Sequence, residues 1–60
     1  MTIRQAEKLH NEDEVTIKKT GEVVTVLSAY TDVVEGKKTV FIEACSKRDG
    51  FMVLSHKEIC

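Results

Sequence analysis

The stretch Asp13-Glu14-Val15-Thr16-Ile17-Lys18-Lys19-Thr20-Gly21-Glu22-Val23-Val24-Thr25-Val26 decides the fold of this chain. Val15 and Ile17 alternate with Glu14, Thr16 and Lys18, the period-2 pattern of a strand buried on one side. Lys19-Thr20-Gly21-Glu22 then reads as a turn, because glycine reaches positive φ without a Cβ clash. Beyond it, Val23 to Tyr30 is β-branched and long enough for a second strand.

Working toward the C-terminus, the segment from Thr31 to Lys38 is expected as a loop around Glu35-Gly36. Thr39 to Cys45 forms a third expected strand, and Ser46 to Gly50 a tight turn of the Asp-Gly type. Phe51 to Leu54 is a fourth strand. Ser55-His56-Lys57-Glu58 then has capping-box spacing and predicts one helical turn, after which Ile59 packs inward.

Toward the N-terminus, residues 1–11 read as a short helix. Thr2 and Gln5 have the spacing of a reciprocal cap, and Ile3, Ala6 and Leu9 share a rough apolar stripe. Asn11 is the expected C-cap, since asparagine tolerates the left-handed conformation. So short a helix is stable only when its stripe docks on something. The expected architecture is thus mainly β. It comprises one domain over residues 1–60, with the helix followed by a small barrel of four to five antiparallel strands over 14–60. Closure is the common way for so small a sheet to avoid exposed edges.

Length and charge narrow the function classes. A chain of 60 residues buries only about 60% of its unfolded surface, so its core is thin. The net charge of −1 lacks the basic surplus that phosphate neutralisation by nucleic-acid binders draws on. Glu12-Asp13-Glu14 would oppose a polyanion on its side of the domain. No segment approaches the ~20 apolar residues of a membrane span, and no continuous apolar stretch follows Arg4 and Lys8 as in a secretory signal. A cytoplasmic location with reduced thiols is the expectation, and no membrane partner is expected.

The hairpin 13–26 resembles the opening of bacterial SH3-like barrels, including the KOW-type modules. Those begin with an acidic residue and a β-branched pair, followed by a glycine-bearing turn and a valine-rich strand. Phe51 to Leu54 followed by Ser55-His56-Lys57-Glu58-Ile59 resembles the last strand and helical turn of the same barrels. The resemblance implies an SH3-like barrel, and KOW-type modules imply RNA or DNA as one possible ligand. The chain departs from KOW-type modules in having Val24 and Thr25 where a second glycine is usual. It also lacks the basic character of modules that bind ribosomal RNA.

Site chemistry points away from catalysis. A Cys or Ser nucleophile needs a His held by a carboxylate, and no glycine-rich elbow surrounds the candidates here. Ser55-His56 is better read as a cap. Cys45, His56 and Cys60 lack the paired spacing of a zinc site, with Cys45 expected as a buried strand thiol. No enzymatic activity, metal, cofactor or small-molecule substrate is expected.

The informative feature is surplus apolar surface. Val40, Ile42 and Ala44 point one way and Phe41 and Cys45 the other; Met52 and Leu54 oppose Phe51 and Val53. In strand two, alternation sets Val24, Val26 and Tyr30 against Val23, Leu27 and Ala29. One interior takes one set; the N-terminal helix, a second chain, or strongly bent strands must account for the other. The expected function is a non-enzymatic protein-interaction module or accessory subunit, self-association included. Its binding residues would be Phe41, Phe51 and Val53, with Lys47 and Arg48 at the rim. The alternative is nucleic-acid binding through Tyr30 with Lys18, Lys19, Lys37 and Lys38.

Overall fold

Four antiparallel strands form a meander in the computed structural model, which describes all 60 residues. They are β1 (Glu14–Thr16), β2 (Val23–Val34), β3 (Lys37–Ser46) and β4 (Gly50–Ser55), hydrogen-bonded in the order β1-β2-β3-β4. A helix, α1 (Ile3–Glu7), precedes them and a single 3₁₀ turn, His56–Glu58, follows. The sheet curls into a half-barrel, with a single bridge between Ile17 and Ile59 drawing its two ends together. The expected strand count is met at its lower bound, and closure is partial.

Each connection follows from its residues. Gly21 takes φ of 76°, and its N–H donates to the Ile17 carbonyl at 2.8 Å, closing the β1–β2 turn. The expected loop 31–38 is instead strand: β2 and β3 run on in register until Val34 faces Lys37. Glu35 (φ 53°) and Gly36 (φ 76°) alone make the turn, both in the left-handed region. That is the geometry whose twist matches a two-residue hairpin, so the ladder need not end early.

The helix is also shorter than expected. The reciprocal cap forms as read, with Thr2 Oγ1 accepting from Gln5 N–H at 3.1 Å and Gln5 Oε1 accepting from Thr2 N–H at 3.0 Å. The helix nevertheless ends at Glu7, with Lys8 as its C-cap. Asn11 does not cap it. The left-handed residue is Glu12 (φ 76°), and Asn11 Nδ2 donates across the molecule to the Leu27 carbonyl at 2.9 Å.

That bond marks a bulge. Val26 pairs with Ala44 and Ser28 with Glu43, leaving Leu27 as an extra residue in β2. The segment 11–13 satisfies the backbone there: Glu12 N–H donates to Val26 C=O and Val26 N–H to Asp13 C=O, both at 2.7 Å. One extra residue inverts every later side chain. Ala29 therefore joins Val24 and Val26 on the concave face, and Tyr30 points outward, the reverse of the strict alternation expected.

The core fills the concave side. Val15, Val24, Val26, Val40, Ile42 and Ala44 line it, with Ala6 from α1 and Ile59 from the C-terminal segment closing over them, all buried. Ile3 and Leu9 pack against the same cluster. The helix thus completes the concave core and leaves the convex face uncovered. Met1 N donates to the Ile59 carbonyl at 2.5 Å, fastening the start of the chain to its end. No helix is long and apolar enough to cross a membrane.

Candidate functional site on the convex sheet face

The bulge assembles the convex face. Tyr30 lies opposite Phe41, and their rings stack with centroids 5.6 Å apart at 29°. Phe41 is half-buried by this contact, while Tyr30 stays 46% exposed. Such offset ring pairs contribute about 0.5–1.5 kcal/mol beyond the area they cover. In the next row Ser28, Glu43 and Val53 lie side by side, and Ser28 Oγ donates to the Glu43 carboxylate. The third row is Thr25, Cys45 and Phe51. Phe51 is 62% exposed and Val53 46% exposed. Cys45, expected to be buried, is exposed in this row, because β3 turns its even-numbered residues toward the core.

Phe41, Phe51 and Val53 therefore share one face, and Lys47 and Arg48 occupy the β3–β4 turn just beyond Phe51. Ser46 organises that turn. It is buried, its Oγ accepts from the N–H groups of Arg48 and Asp49 at 3.1 Å each, and it donates to the Glu22 carboxylate. The rim is thereby tied to the β1–β2 turn.

The residues of the nucleic-acid alternative are not gathered. Lys18 and Lys19 precede the start of β2, whereas Lys37 and Lys38 follow its end, so the two pairs sit at opposite ends of a twelve-residue strand. Lys38 Nζ lies 3.1 Å from a Glu7 carboxylate oxygen. Tyr30 rests on Phe41 and has no lysine as its cross-strand neighbour.

His56, Cys45 and Cys60 are likewise dispersed in role. His56 is buried, and its Nδ1 accepts from Val40 N–H at 3.3 Å, continuing the β3 ladder past the end of β4. Cys60 N–H donates to Thr16 C=O at 2.9 Å, and both thiols are free.

A second feature was not apparent from the sequence. Between the 17–20 turn and β4, the incomplete closure leaves an open depression of about 480 Å³. Ile17 and Leu54 form its apolar floor, and Lys18, Lys19, Lys57 and Glu58 its charged rim. Lys57 is distant in sequence from the other lysines, so only the Ile17–Ile59 bridge, with Lys18 N–H donating to Glu58 C=O at 2.9 Å, brings them together. Comparison with known proteins adds no relative: no family model, curated protein or solved structure matches this chain.

Proposed function

We propose that this chain is a non-enzymatic protein-interaction module of the SH3-like barrel kind. Its convex face, around Phe41, Phe51 and Val53 with Lys47 and Arg48 at the rim, is the surface it presents to a protein partner. A second copy of the chain is the simplest such partner. The observation that carries this reading is where α1 docks. The helix covers the concave side, so Phe51 and Val53 stay exposed and Tyr30 is covered only in part, by Phe41. A cluster of exposed aromatic and β-branched side chains bordered by cations has the composition of an interface centre and rim.

The test is light scattering at two concentrations on the wild type and on Phe51→Asp. Phe51 is largely exposed, so the variant should fold with an unchanged circular dichroism spectrum. The reading expects a concentration-dependent mass that falls to the monomer value in the variant. A wild type that is monomeric throughout ends the self-association version, and a Phe51→Asp chain that fails to fold removes the premise that this face is free. RNA or DNA binding is excluded when labelled single-stranded and duplex oligonucleotides show no shift at ~50 mM salt, where the electrostatic contribution is strongest.

A further inference from the structure

β4 is unpaired along the whole of one edge; the other open stretch, β2 beyond Ser28, is interrupted by the charge of Asp32 and lies after the Leu27 bulge. β1 is met on its outer side by the C-terminal segment, through the Ile17–Ile59 bridge and the Cys60-to-Thr16 bond. β4 has β3 on one side and no strand on the other. The direction of its backbone groups follows from two bonds. Val40 N–H points toward the β4 side, to His56 Nδ1, so Ile42 and Ala44 direct theirs to Leu54 and Met52. Ser55 N–H turns the other way, to Glu58 Oε2 at 2.9 Å. Alternation then places the N–H and C=O groups of Phe51 and Val53 on the open edge. Gly50-Phe51-Met52-Val53-Leu54-Ser55 contains no charge and no proline, and its pairing with β3 has no bulge, so the edge is guarded only at its end, by the Glu58 carboxylate on Ser55 N–H.

We infer that β4 pairs antiparallel with β4 of a second copy of this chain, about a two-fold axis through Val53. This inference rests on the protein-interaction reading above and specifies its geometry. Opposed residues must share a sheet face, which restricts the two-fold to a residue position. Charge then selects which one. Centred on Met52, the pairing would set Lys47 against Lys57 of the second copy. Centred on Val53, it brings the turn carrying Arg48 and Asp49 of one copy to the 3₁₀ turn carrying Lys57 and Glu58 of the other, at the rim of the seam depression. The attraction between these turns occurs twice by symmetry.

The same register matches the apolar side chains and leaves only the Phe51 carbonyl short of a backbone donor. Val53 exchanges both backbone bonds with its counterpart. Phe51 N–H donates to the Ser55 carbonyl of the second copy, while Ser55 N–H is already held by Glu58. On the concave side, Met52 of one copy lies beside Leu54 of the other, at the floor of the depression with Ile17. On the convex side the two sheets become continuous, joining the exposed faces around Phe51 and Val53.

Analytical ultracentrifugation of the full chain from about 10 µM to about 1 mM tests this, a range suited to a small interface. The wild type should approach twice the monomer mass. Val53→Pro removes an edge-facing N–H and no β3 ladder bond, a position edge strands accept, so it should fold and remain a monomer. Asp49→Lys should weaken the dimer about three- to tenfold at low salt, and Asp49→Lys with Lys57→Asp should restore it. Should Val53→Pro fail to fold, amide exchange on the wild type decides: Phe51 and Val53 amides protected at high concentration support the pairing, and unprotected ones overturn it. A monomeric wild type, a higher oligomer, or a dimer that folded Val53→Pro leaves intact overturns it as well. A dimer broken by Phe51→Asp but not by Val53→Pro leaves the face reading standing and removes the edge pairing alone.

Discussion

Replacing Ile59 by alanine tests whether the C-terminal segment truly seals the half-barrel. Ile59 is fully buried, its backbone bridges Ile17, and its carbonyl receives the Met1 nitrogen. Truncation removes hydrocarbon worth about 2.4 kcal/mol in transfer free energy, at ~0.8 kcal/mol per buried carbon. The core is roofed at that point by a short helix and a single turn, which relax only in part. The residual cavity adds a further ~1 kcal/mol, for a total of about 3–4 kcal/mol. A 60-residue domain has roughly 3–9 kcal/mol in all, so the variant should be marginal. Thermal unfolding followed by circular dichroism should show a midpoint lower by about 25–30 °C. Ile59→Val, which loses one methyl, should cost only about 1 kcal/mol. Cys60→Ser, exposed at the next position, should be close to neutral. A loss under about 1 kcal/mol for Ile59→Ala would show that the seam is open in solution and that the core closes without this residue.

Three further substitutions probe the devices that shape the convex face, each by urea denaturation. Asn11→Asp keeps the shape of the side chain but removes the Nδ2 donor to Leu27 C=O at the bulge, and should cost about 1 kcal/mol. Ser46→Ala leaves the Arg48 and Asp49 amides and the Glu22 carboxylate without their shared partner. A loss of about 1–3 kcal/mol is expected, with faster amide exchange confined to the 46–50 turn. Gly36→Ala meets no steric neighbour, yet its φ of 76° should cost about 1 kcal/mol or more through backbone strain alone.

Much of the fold was legible because its signals are local. The Thr2–Gln5 cap, the Gly21 and Gly50 turns, and the alternation of β1, β3 and β4 each depend on residues within a few positions of one another. The hairpin over 31–38 is not legible in the sequence, for a local reason as well. Val33, Val34, Lys37 and Lys38 extend past the core, so both faces are solvated and the burial pattern that announces a strand is absent there. The apolar surplus was visible in the sequence, and so was the grouping of Phe41, Phe51 and Val53, since β3 and β4 pair without a bulge. The depression at the seam was not, because its floor and rim come from two segments far apart in the chain.

The sequence by itself determined the class of the molecule. Period-2 runs of valine and isoleucine, separated by glycine-bearing turns, commit this chain to a small antiparallel sheet with more apolar surface than one thin core takes up. Tertiary structure alone decided which surface that would be. Side-chain alternation along β2 holds only while pairing is uninterrupted, and the Leu27 bulge is held by bonds from residues 11–13, which no local pattern encodes. That one inserted residue sends Ala29 inward and Tyr30 outward onto Phe41. The side on which α1 docks is decided in the same way, by the curl of the sheet and Ile59 offering a place where the stripe of Ile3, Ala6 and Leu9 fits, since the stripe alone suits either face. Both are choices between geometries with similar local energies, and long-range contacts made only on folding separate them.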